Sequence, residues 1–465
     1  MTFSSTPRSS TRRRFLKGLT SAGVLTFVGT GVATPGRNPL TAWAVPGAGN
    51  DTVLVSIFLR GAADGLNIVC PHGDSDYYAQ RGDYALGAGE FSDLDGFFGL
   101  GNDFSALMPF WNDGRMAFVN AVGSHLPTRS HFVAQPNMES GLGLGGWLQR
   151  TIAASSFAGS SAGLSIGDRT SPQLSGPYSG AVVDTVADTI DAGISLSVIR
   201  PALEALYQGQ AAPALESGAV MSALATIDDI SGIADPSPGA FPNTNLGRDL
   251  GEAATLIRAD IGVRAVAVDS TNWDHHTDGL ARMTDRGGRL SDAISAFIAD
   301  LGSHASRVMI VVSSEFGRTV ADNGSGGTDH GRGNMMMVLG DGLQGMGGGK
   351  VLVPGGWPGL ANENLDGNAL AVTTDFRSVY AELAERHLRV DNTDAIFPGF
   401  QREEIGLLYS PGDVDGSGNI AANDVQAVLD GNIRNGSNGA ADVDGDGDAD
   451  LTDALLLAQH VGGGQ

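Results

Sequence analysis

A chain of 465 residues, 42 % of them hydrophobic, has room for one large domain and a smaller one and is too apolar to be wholly disordered. Its net charge of −24 argues against a nucleic-acid partner, since phosphate backbones are held by basic surfaces, and suits divalent cations better. Cys70 is the single cysteine, so no intrachain disulfide can form, and it reads as a small buried hydrophobe.

The chain opens with Arg12, Arg13 and Arg14 followed by Phe15-Leu16-Lys17, a weakly apolar stretch from Gly18 to Val32, and Ala42-Trp43-Ala44. A charged start, a short apolar stretch and a small-x-small cleavage site define a signal peptide, and the paired arginines resemble a twin-arginine export signal over residues 1–44. This segment holds six basic residues and no acidic one, so its removal takes the net charge from −24 to −30. The expectation is a protein exported in the folded state to the periplasm, cell surface or medium. No other stretch looks transmembrane, so the mature chain should lack a spanning segment.

The large domain is expected over residues 50–408. Four short apolar runs, Asp51–Leu59, Met116–Val122, Ile261–Val268 and Arg307–Ser313, read as buried strands, and Met335–Leu339 as a fifth. The spacing from Thr277 to Leu301 predicts a crossover helix, which makes a βαβ unit and a parallel sheet. Residues 150–250 read mainly as helices with a Pro/Gly-rich loop at 235–245, and Asp375–Val390 as a helix packed on the sheet.

Chemistry-bearing residues follow the strands, where open α/β sheets bind ligands. Asp64 sits in a small-residue turn after the first run, either as a metal ligand or bonding its own backbone. Arg129-Ser130-His131 follows the second: Ser130 is displayed as a nucleophile or as an ordinary N-cap, Arg129 could hold an anion, and His131 stays open between general acid, metal neighbour and packing residue. Asp274, His275 and His276 follow the next run, and a carboxylate with two imidazoles is a ligand mix for zinc or manganese. After Arg307–Ser313 come Glu315 and Arg318, then a glycine-rich loop carrying Asp329 and His330.

In combination, Leu59-Arg-Gly-Ala-Ala-Asp-Gly-Leu-Asn67, Ser130-His-Phe, Gly146-Trp-Leu-Gln-Arg150, Trp273-Asp-His-His276, Ser314-Glu-Phe-Gly-Arg-Thr319 and Gly327-Thr-Asp-His-Gly331 resemble the uncharacterised "domain of unknown function 1501" family, related to the alkaline phosphatase and sulfatase superfamily. The resemblance spans roughly residues 50–400. It implies an alkaline phosphatase-like, doubly wound, mostly parallel α/β sheet flanked by helices, with a site for two divalent metals, zinc or manganese. It further implies Ser130 as nucleophile with Arg129 beside it, Asp64, Asp274, His276, Asp329 and His330 as metal ligands, and Glu315, Arg318, His131 and His275 orienting them. Asp274 and His276 are closer in sequence than the family pair they resemble. The last histidine of that site has no counterpart, His387 lying in a helix-like segment.

Composition changes after Tyr409: residues 411–465 hold ten aspartates and one arginine. Two copies of a calcium-loop pattern occur, Asp413, Asp415, Ser417, Asn419 and Asp424, then Asp442, Asp444, Asp446, Asp448 and Asp453, with Gly418 and Gly447 at the sharp turn and an apolar-spaced helix after each. The duplication resembles a dockerin, a small all-α calcium-binding module, over residues 411–463, and implies a cohesin-like scaffold as partner. The expectation is an exported hydrolase of anionic phosphate or sulfate esters, tethered through this module. The alternative is a phosphatase-like scaffold protein without chemistry.

Overall fold

The computed structural model describes residues 52–155, 161–176, 181–196, 200–201, 204, 214–234, 238–343, 348–408, 412, 414, 421–429 and 451–463. Among them, nine strands form one sheet: β1 (Val53–Leu59), β2 (Met116–Gly123), β3 (Gly163–Ile166), β4 (Ala181–Val183), β5 (Ala265–Ser270), β6 (Val308–Ser313), β7 (Asn334–Leu339), β8 (Lys350–Leu352) and β9 (Thr374–Asp375). The order is β8-β2-β7-β6-β1-β5-β3-β4, with β9 also on β2. All pairings are parallel except those of β7, which runs against both β2 and β6.

The sheet divides two cores. Along β1, Val53, Val55, Ile57 and Leu59 face one and Leu54 and Phe58 the other, the alternation a pleated strand imposes. Helices Asn245–Arg258 and Gly279–Leu301 cover the first face, through Leu250, Ala254, Ile257, Leu290, Ile294 and Phe297. Trp147 and Leu148 of helix Trp147–Ala154 cover the second, with Phe376, Val379 and Tyr380 of helix Phe376–Glu382. Trp147 stacks on Tyr380 with ring centroids 4.0 Å apart. The architecture is therefore a mixed α/β fold with a mostly parallel sheet flanked by helices.

One feature departs from the sequence reading: the region expected to supply helices also supplies β3 and β4, which extend the sheet beyond β5. The expected crossover helix, Gly279–Leu301, links β5 to β6 in the parallel part of the sheet, with β1 lying between those two strands. Reversal of β7 matters most for the site: the segment 314–333 leaves the carboxyl end of β6 and returns to the same rim.

Near the carboxyl end of the chain, helices Ala422–Ala427 and Leu451–Gly463 pack through Val428, Ala454 and Leu457, with Val414 beneath. Asp424, expected as the last ligand of the first loop, is fully buried and its carboxylate accepts from the Val414 and Ala421 amides at 2.8 and 2.7 Å. Asp453, its counterpart, is equally buried. Asp413, Asp415, Ser417, Asn419, Asp442, Asp444, Asp446 and Asp448 lie outside the described residues, as do the export segment 1–44 and its cleavage site. Among the described residues no helix is long and apolar enough to cross a membrane.

Candidate metal centre

Four loops meet at the carboxyl-end rim of β1, β2, β5 and β6. Those after β2, β5 and β6 bring the side chains of the cluster, and the one after β1 brings the backbone of Gly61 and Ala62. His131 opens the helix His131–Ser140 after β2. Asp274 and His276 come from the loop after β5, and the next helix does not begin until Gly279, so Asp274 is no N-cap. His330 ends the loop after β6, in an isolated antiparallel bridge with Arg318.

Ligand atoms of His131, Asp274 and His330 all lie within 4.8 Å of one another. The Nε2 atoms of His131 and His330 are 3.0 Å apart, and Asp274 Oδ1 is 3.3 Å from His330 Nε2. His276 joins on the other flank, its Nε2 2.9 Å from that of His330 and 3.0 Å from Asp274 Oδ1. Neighbouring ligands on a tetrahedral zinc with bonds of about 2.0–2.1 Å stand about 3.3 Å apart, so these separations suit a divalent ion.

The far nitrogen of each ring is already committed. His131 Nδ1 donates to Glu315 Oε1 at 2.6 Å, His276 Nδ1 to Asp329 Oδ1 at 3.0 Å, and His330 Nδ1 to the Arg129 carbonyl at 2.8 Å. An imidazole whose Nδ1 carries the proton leaves a lone pair on Nε2, and such lone pairs facing each other at hydrogen-bond distance, as between His131 and His330 and between His276 and His330, repel unless a cation stands among them. The donor set and its backing therefore fit a bound divalent metal, with His131, Asp274, His276 and His330 as the residues to hold it.

Glu315 and Arg318 assemble the rim. Glu315 is buried; besides His131 it accepts from the Gly61 amide at 2.9 Å, Gln135 Nε2 at 2.7 Å and Ser314 Oγ at 2.9 Å. Burial opposes its ionisation, but the bonds from His131 and Gln135 outweigh this and hold the carboxyl below its usual range. That carboxylate in turn raises the His131 pKa, whereas burial lowers that of His330. The Arg318 side chain is completely enclosed. It donates to the carbonyls of Gly61, Ala62 (2.6 Å), Trp273 (3.3 Å) and Thr328 (3.0 Å) and to Asp274 Oδ1 at 2.6 Å, tying three loops together. Against the cost of burial, this guanidinium keeps the Asp274 carboxyl low. Two glycines permit the approach: a Cβ on Gly61, whose φ is +119°, would lie 2.5 Å from the Asp274 amide, and one on Gly327 2.3 Å from the His276 carbonyl carbon.

The remaining expected residues lie around this cluster. Asp329, expected as a ligand, lies with its Oδ1 3.0 Å from His276 Nδ1. Asp64 is buried and its Oδ2 accepts from Arg81 Nη2 at 2.6 Å. His275 is buried beneath the rim, its Nε2 donating to the Asn272 carbonyl at 3.0 Å, and burial lowers its pKa to about 4. Ser130 precedes the His131–Ser140 helix without its hydroxyl capping it. Arg129 is fastened to Asn368 Oδ1 at 2.6 Å and the Asp366 carbonyl at 2.8 Å. His387, buried, donates from Nε2 to the Val53 carbonyl at 3.0 Å, at the opposite end of β1. His131, left open in the sequence between general acid, metal neighbour and packing residue, stands with its Nε2 3.0 Å from that of His330. The signal that could have singled it out is its position next to a serine displayed after a strand. A polar cleft of about 550 Å³ is lined by Thr271 and Asn272, by Arg169, Arg248, Arg286 and Arg289 and by Asp168, Asp184, Asp249 and Asp269, and by none of the cluster residues.

A family model described as "Protein of unknown function (DUF1501)" matches residues 219–395. The match includes Asp274, His276, Glu315, Arg318, Asp329 and His330 but not Asp64, Ser130 or His131. No curated protein matches the chain. Among solved structures, the alkaline phosphatase from the Antarctic bacterium TAB5 is similar at 8 % identity and a TM-score of 0.30, over 64 % of this chain and 94 % of that one. Two mutants of the TAB5 enzyme, each with Mg bound in the M3 site, are similar at 10 % and 9 % identity, with TM-scores of 0.32 and 0.31. They cover 64 % of this chain and 94 % and 93 % of their own.

Proposed function

We propose that this protein is an exported, metal-dependent hydrolase of phosphate or sulfate esters, held in place by a calcium-binding, dockerin-like module at its carboxyl end. The observation that carries the reading is the gathering of His131, His276 and His330 Nε2 with the Asp274 carboxylate, each ring backed by an acceptor. A divalent ion held there supplies Lewis acidity toward the oxygens of an anionic ester.

The chain's own residues supply the rest. Ser130 is the nucleophile: it sits at a helix N-terminus, where the dipole favours an incoming anion, and its hydroxyl is not spent on capping. It forms a covalent ester as the alcohol leaves, and water then cleaves that ester to release phosphate or sulfate. Glu315 and Arg318 hold His131 and Asp274 in register. Arg129 must give up its bonds to the 366–368 loop before it can hold the ester's oxygens.

The test is hydrolysis of an aryl phosphate and an aryl sulfate by the mature protein with zinc or manganese present. Turnover of one of them, lost in Ser130→Ala and in His330→Ala, supports the reading. Full activity in Ser130→Ala removes the nucleophile assignment, and a metal-loaded protein inert to both esters favours the scaffold alternative. For the module, a calcium titration should raise the helical circular dichroism signal, because clustered carboxylates repel until a cation joins them. A flat titration would refute the calcium assignment.

A further inference from the structure

The geometry points to a centre for a single divalent ion, the place of a second cation at Asp64 being taken by the guanidinium of Arg81. This rests on the metal reading above and fixes its stoichiometry.

Asp64 leaves the carboxyl end of β1, where the family resemblance implies a metal ligand, but it already has a cation. Its Oδ2 lies 2.6 Å from Arg81 Nη2, and both side chains are almost wholly enclosed, at 3 % and 0 % exposure. Arg81 is not a passing neighbour. It also donates to the Val320 carbonyl at 3.1 Å and to Asn67 Oδ1 at 3.1 Å, and its guanidinium lies 4.9 Å from the ring centre of Tyr84 and 5.9 Å from that of Tyr77. Arginine does not give up its proton, so this positive charge is permanent. A divalent ion sharing the Asp64 carboxylate would sit beside it at low dielectric, with nothing to screen the repulsion. Arg318, equally enclosed, donates to the carbonyls of Gly61 and Ala62, in the same turn as Asp64, and to Asp274. Two fixed guanidiniums thus hold the buried positive positions around the rim. The exposed cluster of His131, Asp274, His276 and His330 is left for the one exchangeable cation.

Two buried atoms mark where a second ion would go if this were wrong: Asp64 Oδ1 and His275 Nδ1 have no hydrogen-bond partner. The experiment is aimed at them. Mature protein stripped of metal is titrated with zinc against a chromophoric chelator, with excess calcium present to saturate the acidic repeats. The expected result is one tight zinc per chain, unchanged in stoichiometry and within about threefold in affinity in Asp64→Asn, and lost in His330→Ala. Because Asp64→Asn strands a buried guanidinium, the double variant Asp64→Asn/Arg81→Met, which removes both charges together, is titrated alongside. Two zinc ions in the wild type, one of them lost in either Asp64 variant, overturn the inference and leave the metal reading standing. No tight zinc in the wild type overturns both.

Discussion

Histidines stand at both ends of β1, and they have been put to opposite uses. At the carboxyl end, His131, His276 and His330 are partly open to solvent, each with Nδ1 committed to an acceptor and Nε2 turned to its fellows. At the amino end, His387 is enclosed and donates from Nε2 to the Val53 carbonyl. The residue type is the same; what differs is which ring nitrogen is engaged and whether the ring can still be reached. A histidine becomes available to a metal when its neighbours take Nδ1 and leave Nε2 unspent. It becomes a structural strut when Nε2 itself is consumed by the backbone.

The largest effect expected from breaking the rim is that of Arg318→Met. Four carbonyls and a carboxylate lose their common donor, which should cost about 3–5 kcal/mol and abolish tight metal retention. Urea midpoints and metal content after dialysis measure the two losses.

The amino-end histidine should reveal itself through protons. Burial lowers the His387 pKa to about 4, below the unfolded value of about 6.5. Protonation therefore favours the unfolded chain. The contribution is fully present above about pH 6.5 and disappears as pH falls through about 4, amounting to roughly 3 kcal/mol at the acid end. His387→Gln, which keeps a donor for the Val53 carbonyl, should flatten the stability-versus-pH curve across that window. An unchanged slope would contradict the assignment.

Glu315→Gln probes the backing at the carboxyl end. It keeps the shape but weakens the acceptor for His131 Nδ1, and metal affinity should fall about 10–100-fold with little change in the urea midpoint. Competition with a chelator reads this directly. Least should come from Ser130→Ala on stability. A capping serine is worth about 1 kcal/mol, but this hydroxyl caps nothing, so the change should stay within about 0.5 kcal/mol whatever happens to turnover.

The apolar runs at β1, β2, β5, β6 and β7 could be read from the sequence because strands buried on both faces need unbroken hydrophobic residues. The direction of β7 could not, since an apolar run carries no arrow. β3 and β4 escaped because four and three residues are too few to show a period. Asp274, His276 and His330, which the sequence offers as residues of ligand type after strands, come together at the rim. His131 was ambiguous because Glu315, the residue that orients it, lies 184 positions away. Arg81 was not read as the partner of Asp64, since nothing in a local pattern announces a buried ion pair. The pairing of Asp329 with His276, 53 positions away, likewise has no local signature.

The clasp made by Arg318 also bears on the order in which the molecule comes together. Its acceptors lie at Gly61, Ala62, Trp273 and Thr328, up to 257 positions from it along the chain. Contacts of such long range close late, after most chain entropy has been surrendered. During synthesis, the first three acceptors emerge from the ribosome before the arginine that gathers them. The rim is thus a late product of folding, and an ion arriving earlier meets scattered imidazoles rather than a cage.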